Sequence, residues 1–421
     1  MTLDEVKEVF HRYLYLPNDS IIDLIAGVIV ANCMDIDSVN LYLVGPSGSG
    51  KTELIRSLNG YSRVYPMGTV TEHTFLSGYG GEKFNGRASL LLKLQKQGKK
   101  IITIKEFTAI LEQKEDTRRK VLSTIREIAD GQVDRDVGNN VSVHWKGRLA
   151  FIAGVTGVID KHYSVTQQLG ERFLYYRMVT DNELMPVYAL NNAGRITEMR
   201  YVMEDAMAKF LAQFDGREIE PVEVPPLVAQ KIFQLSRFIS GARTTISKDR
   251  FSRTLDYMVE MEVPTRLIQQ LHNVAMGVAI AQGKTAVDRD IYERVIARIG
   301  RDSTHSIRKA ILQMLWMNKV YETNWTYQTS LCNLLRHIPR STSRAYLEDM
   351  VSLGIIEERE IGNKMEYRMT DTWVNIIRDS GVYDGVALKP VTNIELLEQS
   401  ECPPVQDSHE SPHLPLSYKT S

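Results

Sequence analysis

The order of apolar and polar residues predicts an α/β layer in the first part of the chain. Short, mostly apolar runs at Val39–Val44, Ile101–Ile104 and Arg148–Val155 alternate with helical segments. Such runs are typical of buried parallel strands, and their alternation with helices indicates an α/β fold. A longer apolar run, Ile21–Ala31, is interrupted by Asp23 and is shorter than the ~20 residues that span a bilayer. We therefore predict a buried helix there and no membrane contact.

From about residue 182 the spacing of apolar residues becomes helical. Residues 182–300 predict an all-helical lid, with helices at Thr197–Phe214, Leu227–Ile239, Asp249–Glu260 and Thr265–Gln282. Residues 301–382 predict three short helices followed by a hairpin, which is the order of elements in a winged helix. These elements are Ser303–Lys319, Ser330–Arg336, Thr342–Leu353, Ile355–Glu360 and Met365–Met369.

Composition limits the class of protein. The 421 residues suffice for two to four domains, and 43% hydrophobic with 24% charged residues is typical of a globular protein. The net charge is −1, so any contact with nucleic acid must use a local basic surface. Three widely spaced cysteines without a CxxC pair argue against a zinc cluster and favour a reducing cytoplasm.

The last segment, residues 383–421, holds five of the 14 prolines and carries two lysines against six acidic residues. This composition predicts a disordered acidic tail, which could contact a protein partner. The sequence thus predicts four parts: an α/β core at 1–181, the lid at 182–300, the winged helix at 301–382 and the tail at 383–421.

A phosphate-binding motif follows the first apolar strand. Residues 45–52 match G-x-x-x-x-G-K-[ST] in full, and a helix is predicted at Glu53–Leu58 directly after them. Glycines let backbone N–H groups converge on phosphate, and the helix N-terminus adds its positive dipole end. Lys51 should reach the β- and γ-phosphates, and the Thr52 hydroxyl should bind Mg²⁺. The motif predicts ATP and Mg²⁺ as ligands of Gly45, Pro46, Ser47, Gly48, Ser49, Gly50, Lys51 and Thr52.

With these residues the chain resembles the AAA+ ATPases, and within them the group that contains NtrC-type activators and MCM helicases. The resemblance covers about residues 20–300 and is most specific at Leu122–Gly131 and Leu149–Thr156. It implies a P-loop fold with a parallel sheet. It also implies that Thr156 takes the sensor 1 place, where a small polar side chain holds the attacking water or the γ-phosphate.

The acidic motif departs from the family pattern. Family members present an Asp-Glu pair after the strand, whereas this chain has Lys105-Glu106. The resemblance implies that Glu106 polarises the attacking water; alternatively it enters the metal shell and another group acts as base. A protein that binds ATP without hydrolysing it is a further alternative. The sequence Lys-Glu-Phe-Thr at residues 105–108 is also similar to a group of ATPases of phages and mobile elements. In that case the lysine would be a shared property of the group.

Three arginines resemble cations that this family places on the γ-phosphate. Arg172 and Arg177 lie in a segment similar to the arginine finger of NtrC-type proteins, although they are one residue closer together than in that pattern. A guanidinium lent to a neighbouring subunit stabilises the charge on the transferred phosphoryl group; alternatively, one of the pair forms an ion pair within its own chain. Arg266 opens a lid helix at the sensor 2 position, as a candidate γ-phosphate clamp. A shared site implies a homo-oligomeric ring, a hexamer.

Basic residues crowd the start of the third predicted helix of the winged helix, which such domains place in the major groove. Residues 301–346 carry seven basic against two acidic residues. The candidate DNA-binding residues are Arg336, Arg340, Ser341, Thr342, Arg344 and, on the wing, Lys364. The alternative is a winged helix that docks a protein. Two further segments, 74–81 and 132–145, are candidates to face the ring pore, and the second is similar in position to a hairpin that contacts DNA in MCM-like rings. The alternative is that both are surface loops packed on their neighbours.

The sequence therefore predicts an ATP-hydrolysing AAA+ ring protein that acts on DNA, as a replication initiator, helicase or helicase loader of a phage or mobile element. An NtrC-like transcription regulator ranks lower, because the GAFTGA loop of that class is missing. The third interpretation is a nucleotide-gated assembly or defence scaffold with weak hydrolysis. Lys105 favours it, because a lysine stands where the family has the aspartate of its acidic pair.

Overall fold

The computed structural model describes most of the chain. The described residues are 1–68, 70–71, 74–75, 89–137, 141–163, 172–216, 218–246, 261–321, 324–335 and 338–385, and at 135–137, 141–143 and 334 only the backbone is described. The helix predicted at Asp249–Glu260 and nearly all of the predicted tail lie outside these residues.

Five parallel strands form the central sheet, in the order β2-β3-β6-β1-β7. Because the strands all run the same way, their carboxyl ends meet at one edge, here called the carboxyl edge, and their amino ends at the opposite amino edge. This arrangement confirms the predicted α/β fold with a parallel sheet. The strands, including a hairpin and a small C-terminal sheet, are β1 Asn40–Val44, β2 Val64–Met67, β3 Ile101–Ile104, β4 Gln132–Val137, β5 Val141–Lys146, β6 Ala150–Val155, β7 Phe173–Arg177, β8 Thr326–Tyr327, β9 Ile356–Ile361 and β10 Lys364–Met369.

Helices pack on this sheet and continue beyond it. Those that accompany the sheet are α1 Leu3–Tyr13, α2 Ser20–Cys33, α3 Lys51–Arg56, α4 Leu90–Lys96, α5 Thr108–Leu111, α6 Glu115–Ala129 and α7 Val158–Lys161. The next group is α8 Leu184–Asn191, α9 Ile196–Ala212, α10 Pro226–Arg243, α11 Thr265–Ala281, α12 Arg289–Ile291, a π-helical turn at Tyr292–Ile296 and α13 Ala297–Asp302. The last group is α14 Ser306–Met317, α15 Gln328–Leu334, α16 Arg340–Ser352 and α17 Asp371–Ser380. Across the described ranges, no helix combines the length and apolar character needed to cross a membrane.

Helices α2 and α11 cross at very short distance. The apolar run predicts a buried helix, and α2 is indeed buried from Ser20 to Asn32. At the crossing, a Cβ atom on Gly277 would lie 2.1 Å from the carbonyl oxygen of Gly27, so only glycine fits. Both helices belong to one hydrophobic core, which means that α11 of the predicted lid is built into the same packing as α2.

Residues 303–385 form a C-terminal unit of helices and a small antiparallel sheet in the order β8-β10-β9. The unit is fixed to α10 by two contacts. The ring of Trp373 packs so closely on Gly241 that a Cβ there would lie 2.5 Å from it. Buried Arg308 donates hydrogen bonds to the carbonyl oxygens of Ala242, at 3.2 Å, and Thr244 at the end of α10. The unit is therefore part of the packed body of the protein.

The segment that leads into the C-terminal unit covers the free edge of β7. The Asp302 carboxylate accepts a hydrogen bond from the N–H of Arg177 at 3.0 Å, and the Ser303 hydroxyl accepts one from the N–H of Tyr175 at 3.0 Å. Backbone donors that would face solvent at the end of the sheet are thus paired with side chains.

Candidate functional site

The glycine-rich motif forms a loop between β1 and α3 at the carboxyl edge of the sheet. Gly48 and Gly50 have φ angles of 80° and 81°, which glycine adopts without strain. Gly45 is closely packed, because a Cβ there would lie 2.9 Å from the Ser49 hydroxyl oxygen. Helix α3 begins at Lys51, directly after the loop. The backbone therefore has the course that lets N–H groups converge on an anion.

A cavity of about 420 Å³, here called the loop cavity, opens beside this loop. One part of its wall is polar and the other is apolar and aromatic, which is the combination typical of small-ligand sites. The polar wall consists of Ser47, Gly48, Ser49, Gly50, Lys51, Thr52, Glu53, Glu106 and Arg200. The remaining wall consists of Tyr13, Leu14, Tyr15, Leu16, Met185, Tyr188, Ala189, Asn192, Ile196 and Met199.

Lys51 lies folded against the loop. Its ammonium donates to the carbonyl oxygens of Gly45 and Pro46, both at 2.7 Å, and to the Ser49 hydroxyl at 3.3 Å. Burial lowers the pKa of Lys51, while the negative charge of Glu106 opposes that shift. Phosphate oxygens are stronger acceptors than neutral carbonyls, so Lys51 stands where it can exchange these partners for a bound phosphate.

Thr52 and Glu106 both line the loop cavity, one after the loop and the other after β3. Both residues are exposed. A hydroxyl and a carboxylate oxygen are ligands of the kind Mg²⁺ takes together with phosphates and water, so the two residues fit the predicted ion. The wall of the cavity, as far as the structure describes it, includes Glu106 but not Lys105.

Thr156 follows β6 at the carboxyl edge and is held by Thr108. Its N–H donates to the Thr108 hydroxyl oxygen at 3.0 Å, and the two hydroxyl oxygens are 3.2 Å apart. Because Thr108 follows two residues after Glu106, this pair ties the two loops together. The structure thus brings the phosphate loop, Glu106 and Thr156 to one edge, although Thr156 does not itself line the loop cavity.

The apolar wall joins the start of the chain to helix α8. The amide nitrogen of buried Asn192 donates to the carbonyl oxygens of Tyr13, at 2.9 Å, and Tyr188, at 2.8 Å. The rings of Tyr15 and Tyr188 lie 5.8 Å apart, tilted by 59°. An apolar slot next to a phosphate loop suits a nucleotide base. Our sequence analysis missed these residues, because they carry no motif and meet only in the folded chain.

Arg200 of α9 is a second residue that the sequence analysis missed. Its guanidinium forms a bidentate ion pair with the carboxylate of Glu53 beside the phosphate loop, with N···O distances of 2.7 and 2.9 Å. Among the helices after residue 182, α9 thus brings an arginine into the wall of the loop cavity.

Arg172 lies at the amino edge, opposite the phosphate loop. Its carbonyl oxygen accepts a hydrogen bond at 3.2 Å from Asn40, the first residue of β1, whereas the phosphate loop follows the last. At ~3.3 Å per residue, the length of β1 separates Arg172 from its own loop by roughly 13 Å or more. The guanidinium pairs with Asp130 at 2.7 Å and 3.0 Å. The intrachain ion pair left open by the sequence is therefore present, and Arg172 lies away from the phosphate loop of its own chain.

Arg266 lies beside Arg172 and not beside the loop cavity. Gln270, one turn along α11, donates to the carbonyl oxygen of Arg172 at 2.7 Å. Burial lowers the pKa of Arg266, and the positive charge of Arg172 lowers it further. Within one chain Arg266 therefore lies outside the described wall of the loop cavity, and its role as a γ-phosphate clamp stays a prediction. We call this group of described residues the arginine cluster. Its members are the arginines Arg172, Arg243 and Arg266 and the carboxylates Asp130 and Glu262.

Arg177 has a structural role. Its guanidinium donates to the Asp160 carboxylate at 2.7 and 2.9 Å and to the carbonyl oxygens of Asp302, at 3.1 Å, and Thr304, at 3.0 Å. Burial alone would lower the pKa of Arg177, but Asp160 and Asp302 outweigh it and raise that pKa. These bonds fix the guanidinium in the chain, as the ion pair with Asp130 does for Arg172. The finger role of either arginine stays a prediction.

The predicted DNA-binding residues lie on the C-terminal unit, except that Arg336 is outside the described residues. Arg340, Ser341 and Arg344 are exposed at the start of α16, and Thr342 is half-buried. Arg340, Ser341 and Arg344 also line a shallow cavity of about 340 Å³. The structure therefore places these predicted residues together on one surface.

The hairpin β9–β10 offers fewer available cations than its sequence indicates. Exposed Lys364 lies over the ring of Tyr327, with its ammonium 5.3 Å from the ring centre. Arg359 and Arg368 lie over the Trp325 ring and form ion pairs with the carboxylates of Glu366 and Glu357. Lys364 is thus the hairpin cation best placed for an outside anion.

The two predicted pore segments are described in part. In the segment 74–81, residues 76–81 lie outside the described residues, and Phe75 is buried. In the segment 132–145, β4 and β5 form the predicted hairpin, and the exposed side chain of His144 pairs with Asp134 at 2.9 Å. The side chain of Arg135 is outside the described residues. Pore contact stays a prediction.

One comparison with known proteins bears on this site. Residues 41–165 match the model of a protein family described as the ATPase family associated with various cellular activities (AAA). The matched range contains the phosphate loop, Glu106 and Thr156, and it ends before Arg172. No curated protein sequence matches the chain. The match supports ATP binding and an ATPase role for this part of the molecule.

Proposed function

We propose that this chain, whose residues 41–165 carry an AAA-type ATPase domain, hydrolyses ATP between neighbouring copies of a ring that acts on DNA during replication. One observation carries the proposal: the loop cavity lies at the carboxyl edge of the sheet, and the arginine cluster lies at the amino edge. A head-to-tail contact between two copies would bring these halves together. Repeated head-to-tail contacts close into a ring, for which we propose a hexamer.

Within one copy, the chain's own residues bind the triphosphate and prepare the attacking water. The loop N–H groups and Lys51 hold the phosphates, and Thr52 would hold a Mg²⁺ ion, which would supply positive charge against them. Glu106 orients the attacking water and accepts its proton; in the alternative, it would join Thr52 in holding the ion and another group would act as base. Thr156, fixed by Thr108, offers a hydroxyl to the water or to the γ-phosphate.

The second copy contributes positive charge. The arginine cluster brings the guanidinium groups of Arg172, Arg243 and Arg266 close together, with the carboxylates of Asp130 and Glu262 between them. Burial and neighbouring cations lower the pKa of Arg266, which means that its charged form would gain from an anion nearby. A γ-phosphate on the next copy would supply that anion.

Replacement of Lys51 and of Glu106 should separate binding from hydrolysis. Lys51→Ala is expected to weaken ATP binding about 10- to 100-fold, because a charge-assisted hydrogen bond is worth about 1.5–3 kcal/mol. Glu106→Gln keeps the shape of the site and should leave binding intact while slowing hydrolysis about 10²–10⁴-fold, the usual contribution of a general base. Fluorescent-nucleotide titration and phosphate release measure the two effects.

Lys105→Ala is the matched control for this pair, since Lys105 neighbours Glu106 but does not line the loop cavity. We expect it to bind and hydrolyse ATP much as the wild type does. Hydrolysis by Glu106→Gln at the wild-type rate would contradict the role given to Glu106. A wild type that binds ATP without turnover would instead support the scaffold, the alternative that Lys105 favours.

DNA is proposed as the target because exposed cations gather at the start of α16. Arg340 and Arg344 stand at the amino end of that helix, where its dipole also attracts phosphate. Lys364 lies over Tyr327, and Tyr327 directly precedes α15, whose Gln328 contacts Arg344 at 3.3 Å. The three cations therefore form one surface, which suits a winged helix that holds the DNA backbone.

Salt dependence should test this surface in the full chain. The double variant Arg340→Ala and Arg344→Ala is expected to reduce the slope of log affinity against log salt by about two, one for each lost phosphate contact. Arg289→Ala removes another exposed arginine, which lies outside the C-terminal unit, and should leave the slope unchanged. Wild-type DNA binding that does not respond to salt would favour protein docking by this unit.

A further inference from the structure

Helix α9 presents one face to the loop cavity. Ile196, Met199 and Arg200 lie three and four residues apart, which places them on the same side of the helix, and all three line the cavity. Ile196 and Met199 belong to the apolar wall, whereas Arg200 belongs to the polar wall. In the part of the wall that the structure describes, Lys51 and Arg200 are the two cationic side chains. Helix α9 thus adds a second positive charge to the cavity that holds the phosphate loop.

The Arg200 guanidinium is held along one of its edges. Its Nε and Nη2 atoms donate to the two carboxylate oxygens of Glu53 at 2.9 and 2.7 Å. A guanidinium has five N–H donors, so these two bonds leave three donors over. Within the described ranges these three have no acceptor. The side chain is 36% exposed in the cavity wall, so a ligand in the cavity can supply the acceptor.

The position of the guanidinium favours a phosphate as that acceptor. Glu53 lies in the first turn of α3, directly after Lys51 and Thr52. The ion pair therefore holds Arg200 beside the helix start at which the phosphate loop ends. Guanidinium groups form short, charge-assisted hydrogen bonds with phosphate oxygens, often two at a time, and these are stronger than bonds to neutral acceptors.

We infer that Arg200 binds a phosphate group of the nucleotide in the loop cavity of its own chain, and that Glu53 positions the guanidinium for this contact. The inference rests on the ATP binding of the proposed function and deepens it, because it names a second cation for the phosphates beside Lys51. Since Lys51 belongs to α3 and Arg200 to α9, the bound phosphates link the two helices. Helix α9 is thereby fastened more firmly to the phosphate loop when nucleotide is present.

The competing interpretation is that the Arg200–Glu53 pair only fastens α9 to α3, and two variants separate the two. Arg200→Ala removes the ion pair and the phosphate contact together, so it should weaken ATP binding about 10- to 100-fold, the usual loss for a charge-assisted hydrogen bond. Glu53→Gln breaks the ion pair but keeps the guanidinium and removes a negative charge near the phosphates. It should therefore bind ATP at least as tightly as the wild type.

Arg195→Ala is the matched control. The Nε and Nη2 atoms of Arg195 donate to the carboxylate of Glu198 at 3.0 and 2.8 Å, in the same geometry, but Arg195 lies outside the described wall of the loop cavity. We expect wild-type ATP affinity from it. Arg200→Lys keeps the positive charge and should recover part of the affinity that Arg200→Ala loses. Titration calorimetry of the full chain with Mg²⁺ and a slowly hydrolysed ATP analogue measures these affinities.

Inorganic triphosphate, which has neither base nor ribose, tests the assignment to phosphate. It should displace a fluorescent nucleotide from the wild type, and its affinity should fall in Arg200→Ala by a factor similar to that for the ATP analogue. A loss confined to the ATP analogue would assign Arg200 to the base or the ribose and overturn the inference.

The outcomes distinguish this inference from the function on which it rests. Wild-type affinity in Arg200→Ala, or equal losses in Arg200→Ala and Glu53→Gln, overturns the phosphate contact while the wild type still binds ATP, so the proposed function stands. A wild type that does not bind the ATP analogue overturns both. A loss in Arg200→Ala for both ligands, with Glu53→Gln and Arg195→Ala retaining affinity, supports the inference.

Discussion

Arg172→Ala is expected to lower the rate of ATP hydrolysis about 10³-fold or more, the contribution of an arginine lent in trans, while ATP binding to the phosphate loop is retained. The reason is geometric, because Arg172 lies at the amino edge, away from the phosphate loop of its own chain. Arg172→Lys keeps the positive charge but loses the planar set of guanidinium donors, so its rate of ATP hydrolysis should be intermediate. Phosphate release at saturating ATP and nucleotide titration measure the two quantities.

Asp130→Asn separates this effect from a loss of structure. The side chain of Arg172 is 11% exposed, and its guanidinium forms an ion pair with Asp130 of the same chain. Asp130→Asn breaks the ion pair but keeps the guanidinium, so its activity should stay far above that of Arg172→Ala. Equal losses in the two variants would mean that the ion pair, and not the contact with the next copy, accounts for the result.

Mixing two inactive variants provides a direct test of the shared site. Lys51→Ala removes the binding half of a site, and Arg172→Ala removes the half that the neighbour contributes. In mixed assemblies, some sites combine an intact loop with an intact arginine, and those sites should recover activity. A mixture with no more activity than its separate components would contradict the shared site.

Gly277→Ala is expected to lower the free energy of unfolding by about 3 kcal/mol, the upper part of the usual range for an overpacked core. A Cβ there would lie 2.1 Å from the Gly27 carbonyl oxygen and 3.0 Å from the Ala31 Cβ atom. The first neighbour is backbone, which cannot rotate aside, so the two buried helices must separate. Native proteins are stable by about 5–15 kcal/mol, and such a loss is therefore large.

The thermal unfolding midpoint measures this effect, and Gly68→Ala is the control. Gly68 is exposed, and an added Cβ there meets no atom of the described residues within 4 Å. We expect its midpoint to match that of the wild type. If Gly277→Ala unfolds at the same temperature as Gly68→Ala, the close crossing of α2 and α11 does not contribute to stability as proposed.

The parts of the site that the sequence predicts are local ones. The phosphate loop depends on glycines, a lysine and a hydroxyl within eight residues, and the apolar strand before it is continuous. By contrast, β2 gives a weak strand signal because it contains Pro66, which cannot donate to a ladder. The structure places β2 at the edge of the sheet, where proline is tolerated.

The parts that the sequence could not predict depend on tertiary packing. The sequence places Arg266 at the start of a helix but does not say which edge of the sheet that helix meets. The position of that helix depends on the close crossing of α2 and α11, which Gly27 and Gly277 allow although they are 250 residues apart in the sequence. Arg200 likewise carries no motif, and its position follows only from how α9 packs beside α3 through Glu53.

The cover over β7 has a consequence for any shortened form of the protein. Removal of everything after residue 300 would strip Asp302 and Ser303 from the N–H groups of Arg177 and Tyr175. A bare outer strand with free donors is a template for pairing with another polypeptide. Aggregation of such a truncated fragment would then reflect strand pairing between copies, and the size of its particles would say nothing about the proposed ring.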